Sequence, residues 1–114
     1  MVEREPSFDR GHKLLTKEIR EKLLPLYGGE AQGLAVEAQV KFFTPDSNWI
    51  WYASEFDGEN IFFGLVSGHE VELGCFSLSE IQEVRGPRGL PIERDLHFKA
   101  TTLQELQEQH RRDG

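Results

Sequence analysis

The sequence predicts an α+β fold: an antiparallel meander sheet of four to five strands, with short helices at the N-terminus, in the middle and at the C-terminus. Three observations predict it. Along Val36–Phe42 and again along Val71–Cys75, apolar residues recur at every second position, the period of a half-buried strand. The pairs Pro45-Asp46, Asp57-Gly58 and Ser67-Gly68 cut the region between into segments too short for helices and carry turn chemistry. Outside this region, apolar residues at helical spacing follow Ser or Thr caps. The length, 114 residues, suits one domain. Residues 1–13 read as a flexible polar lead and residues 14–112 as a single α+β domain.

The first element is a helix from Lys17 to Leu24, capped by Thr16, with Glu18 in the first turn where a negative charge suits the helix dipole. Ile19, Leu23 and Leu26 give its apolar stripe, and Pro25 with Gly28-Gly29 ends it. Glu30 to Ala35 reads as a loop. Val36, Ala38, Val40 and Phe42 then form the inward side of a strand, and residues 44–48 turn the chain. Trp49 to Phe56, Asn60 to Val66 and Val71 to Cys75 are the next three strands. In the last, Cys75 takes an apolar position, which predicts a buried, inert thiol.

Ser77-Leu78-Ser79-Glu80 fits a capping box opening a short helix to Val84, with Leu78, Ile81 and Val84 on one side. Residues 85–91 hold two Gly and two Pro and form an irregular crossing. Asp95 to Lys99 reads as a short edge strand. Thr102 to Glu105 repeats the capping pattern and opens a final helix to Arg112. Its stripe is thin, Leu103 and Leu106, which predicts light docking or a subunit contact.

Charge narrows the classes of function. The formal net charge is −7, which disfavours direct binding to a nucleic-acid backbone. No Lys or Arg occurs from Phe42 to Val84, while Asp46, Glu55, Asp57, Glu59, Glu70, Glu72, Glu80 and Glu83 do. Basic residues flank this span, so a negative field with positive patches beside it is expected. No run reaches the roughly 20 apolar residues of a membrane helix, the N-terminus lacks a signal-type apolar segment, and one cysteine permits no internal disulfide. The expected location is cytoplasmic, with no membrane partner.

Four segments in order carry a resemblance: Leu15-Thr16-Lys17-Glu18-Ile19-Arg20, Val40-Lys41-Phe42-Phe43-Thr44-Pro45, Phe76-Ser77-Leu78-Ser79-Glu80, and Gly89-Leu90-Pro91-Ile92-Glu93-Arg94-Asp95-Leu96-His97-Phe98. Over about Leu14 to Leu106 the chain resembles a bacterial domain-of-unknown-function family, DUF2958, of small proteins common on plasmids and mobile elements. The resemblance implies a bacterial, cytoplasmic accessory protein. It carries over no catalytic residue.

Several residues are candidates for function. Asp95 and His97 share a face if their segment is a strand, and a carboxylate beside an imidazole raises its basicity. They are the candidate acid–base pair of a small enzyme; an ion-paired edge strand is the structural alternative. A metal site would have to recruit His69 and Glu70 as well, but the histidines are isolated along the chain and there is no Cys pair, so no metal site and no cofactor are expected. Arg88 and Arg94 are candidate anion or acidic-partner contacts, or internal partners of the acidic sheet. Trp49 and Trp51 share one face of their strand, either in the core or at an oligomer contact. Ser77 and Ser79 read as caps. With Glu55, Asp57, Glu70 and Glu72, the tryptophans and arginines compose the expected binding surface. The reading that follows is a protein-binding module with an acidic, aromatic-rich sheet surface, engaging a protein partner or itself as a homodimer. A small enzyme using Asp95 and His97, and an acidic decoy of a nucleic-acid-binding protein, are the alternatives.

Overall fold

A computed structural model describes residues 14–113; the lead assigned to residues 1–13 lies outside the described residues. Helix α1 spans Lys17–Lys22. Strand β1 (Leu24–Pro25) and a 3-10 segment (Glu30–Ala35) follow. Strands β2 (Glu37–Ala38), β3 (Val40–Phe43), β4 (Ile50–Phe56), β5 (Ile61–Ser67) and β6 (Val71–Ser77) come next. The chain closes with α2 (Leu78–Glu83), β7 (Glu93–Arg94), β8 (Thr101–Thr102) and α3 (Leu103–Asp113). The fold is α+β. The main sheet has the order β6-β5-β4-β3-β7, with β1 parallel to the far end of β4. The β3–β6 run is the expected antiparallel meander.

Alternation along the strands sorts side chains to two faces. One face gathers Val40, Phe42, Trp51, Ala53, Phe62 and Phe76 with Leu23, Ile81 and Ile92, beneath α1, α2 and the crossing before β7. The other gathers Tyr52 and Leu65 with Val36, Ala38, Leu103 and Leu106, beneath the 3-10 segment, the β2–β8 pair and α3. On the first face Phe56, Phe62 and Phe76 stack in a row, with ring centroids 4.6 and 5.2 Å apart. Each such ring contributes about 1.5–3 kcal/mol by leaving water.

A β-bulge in β4 decides what faces where. Ala53 pairs with Gly64 and Glu55 with Phe63, leaving Ser54 as the extra residue. The shift turns Phe56 inward onto Phe62 and sends Glu55 to the α3 side. Gly64 is needed opposite the bulge, because a Cβ there would overlap the Tyr52 carbonyl oxygen.

Several expectations are corrected. Helix α1 stops at Lys22 with Leu23 as C-cap, and Leu24 enters β1, because pairing with Glu55–Phe56 satisfies its backbone. The expected loop at residues 30–35 is a 3-10 segment kinked at Gly33, whose φ is 57°. The single strand from Val36 to Phe42 breaks at Gln39: Glu37–Ala38 pairs with β8, while Val40–Phe43 pairs with β4 and β7. The edge strand lies at Glu93–Arg94, not at Asp95 to Lys99. Helix α3 docks firmly, with Leu103 and Leu106 buried. Cys75 is exposed, because β6 is the sheet edge and α3 covers the neighbouring strands without reaching it fully.

Candidate functional site

The residues singled out in the sequence fall in three places. The first is a cleft of about 350 Å³ beside β7, lined by Lys41, Phe43, Glu93, Arg94, Asp95, Leu96 and His97. Asp95 and His97 do meet there, but as a turn. The Asp95 Oδ1 accepts the backbone N–H of His97 at 2.9 Å, and Asp95 Oδ2 lies 3.7 Å from Lys41 Nζ. An aspartate that bonds the backbone two residues on offers the chain an alternative to the ladder. That is why the strand ends at Arg94 and the shared-strand-face geometry fails. The carboxylate is occupied by a backbone donor and a lysine, so it does not orient the imidazole. His97 is exposed, while Arg94 is half-buried on the cleft wall.

The second place is the interior. Trp51 is buried, and Trp49 packs beside it at 5.9 Å between ring centroids. The tryptophans are therefore core residues. The His69 ring meets Trp49 edge-on at 5.4 Å. Glu55 also leaves the expected acidic surface: it is 3% exposed, and its carboxylate accepts the N–H of Tyr27 at 2.6 Å and of Gly29 at 3.0 Å. Asp57 is exposed but structural. Its Oδ1 accepts the N–H groups of Glu59, Asn60 and Ile61. The donors at Asn60, Ile61 and Glu59, in that order, hold its carboxyl below the usual carboxylate range. Arg88 is exposed, and its backbone N–H is bound by Asp46 Oδ2 at 2.7 Å.

The third place is the edge strand β6, which carries Glu72 and follows Glu70. Its backbone phase is fixed at one end, where the N–H of Leu78 bonds Asn60 O at 2.8 Å. An antiparallel ladder alternates, so Glu72, Gly74 and Phe76 bond β5, while Val71, Leu73, Cys75 and Ser77 point outward. Consistently, the Ser77 N–H reaches Glu80 Oε1 in the capping box. Leu73 is 41% exposed and lies on the same face as exposed Cys75 and half-buried Val71. Glu72 is exposed on the opposite face, toward α2 with its exposed Glu80 and Glu83. The edge is thus apolar on one side and acidic on the other.

One constellation lies outside the residues that the sequence pattern singles out. On the α3 face, Tyr52 Oη lies 2.7 Å from His110 Nε2, and Ser67 Oγ lies 3.2 Å from His110 Nδ1. Burial first, and the charge of Asp95 second, push the Tyr52 phenol up to about 12. These residues come from three elements, 43 and 58 positions from the histidine, so no local spacing announces them. Only the polar Ser67 at an inward strand position and a histidine at helical spacing from Leu106 hinted at it. With Tyr52 and Ser67 both buried, the arrangement fastens α3 to the sheet.

Among the described residues no group of three or more His, Cys, Asp or Glu side chains is arranged to hold a metal ion, and no helix is long and apolar enough to cross a membrane. No curated protein and no solved structure matches the chain. A family model described as protein of unknown function (DUF2958) matches residues 14–114, which contain every element of the sheet and both of its covers, and the chain belongs to that family.

Proposed function

We propose that the domain is a protein-binding module that takes a partner by strand addition along β6. One observation carries this reading: a seven-residue edge strand directs the N–H and C=O groups of Val71, Leu73 and Cys75 outward, beneath an exposed leucine. Main-chain hydrogen bonds to such an edge supply affinity, and alternate side chains supply specificity. The aromatic rings named in the sequence analysis belong to the core, so the binding surface moves from the sheet face to its edge. The acidic residues that remain on this surface are Glu70 and Glu72. The family resemblance and the single cysteine support a bacterial, cytoplasmic setting.

The test is a photo-crosslinking residue placed at position 73, and separately at position 96 on the cleft rim, in the bacterial host. Protein adducts should form from position 73 and fade when Cys75→Pro removes an outward N–H. Adducts from position 96 alone would move the binding site to the cleft. The cleft sustains a second reading, small-molecule chemistry at His97, because that imidazole lines a concave surface with Lys41 and Glu93. Under it, His97→Ala abolishes the host phenotype while the fold persists.

A further inference from the structure

We draw no further inference here: the strongest candidate, the exposed ring of Tyr27 on the positive-φ turn that Glu55 holds between β1 and the 3-10 segment, is an apolar surface, and nothing in the structure shows what covers it.

Discussion

At the scale of single residues, the fold spends a buried carboxylate on one tight turn. Tyr27 is the non-glycine residue at positive φ, 68°, among those described, a conformation that costs an L residue about 1–2 kcal/mol. Its ring is 67% exposed, so burial does not offset that cost. Glu55 does, by binding the N–H of Tyr27 and of Gly29. Two outcomes follow. Glu55→Ala leaves both donors without their acceptor and should cost about 2–4 kcal/mol, read by urea denaturation. Tyr27→Gly relieves the strain while giving up little packing, and should stabilise by about 1 kcal/mol. A destabilised Tyr27→Gly would mean that the ring does packing work the exposure does not reveal. Tyr52 supplies a pH signature. With its folded pKa raised above 10 to about 12, the native state holds a proton that the unfolded chain releases. Stability is therefore full below about pH 10 and falls as pH climbs toward 12. In urea midpoints measured from pH 8 to 11.5, the wild type should show this fall, and Tyr52→Phe should show less of it.

At the scale of elements, the local signals were readable and the long-range ones were not. The Ser77–Glu80 capping box stands as the sequence spelled it, with both reciprocal bonds made. Ser77→Ala should cost about 1 kcal/mol, seen as a lower thermal midpoint, with loss of α2 hydrogen-exchange protection ahead of the sheet. Thr16 likewise caps α1, its Oγ1 accepting the N–H of Ile19 at 3.2 Å. The meander was legible because period-two patterning and turn residues lie within a few positions of each other. What escaped depends on partners distant in sequence. Gln39 breaks a pattern that stays in phase from Val36 to Phe42, because β2 finds β8 some 60 positions away whereas β3 finds β4. The Ser54 bulge has no compositional mark, yet it decides that Glu55 is an interior anchor and not a surface acid. Cys75 shows the same gap: alternation gives the face a side chain occupies, while its burial depends on how far α3 reaches across that face. The candidate site suffered most. Asp95 and His97 line one cleft, but a side chain that bonds its own backbone makes them a turn and not the strand pair that alternation suggests.

At the scale of the whole molecule, one sheet serves two cores. Adjacent residues of β4 face opposite ways: Trp51 and Ala53 join the face beneath α1 and α2, while Tyr52 joins the face beneath α3. Neither cover can leave without exposing a strand that the other needs. Helix α3 contributes Leu103 and Leu106, 1% and 3% exposed, and its last turn is tied to Tyr52 and Ser67 through His110. The domain should therefore unfold as a single cooperative unit. Leu106→Ala tests this at a distance. It opens a cavity on the α3 face only, and should cost about 2–5 kcal/mol. Tryptophan fluorescence reports the opposite face, through Trp51 and Trp49, while far-ultraviolet dichroism reports the helices. In the wild type and in Leu106→Ala, both probes should trace one transition, displaced in the variant by the same free energy for each. If the dichroism midpoint falls while the fluorescence midpoint stays, α3 is a detachable cover. The sheet with its α1–α2 face would then be the folding unit, and the second core an addition to it.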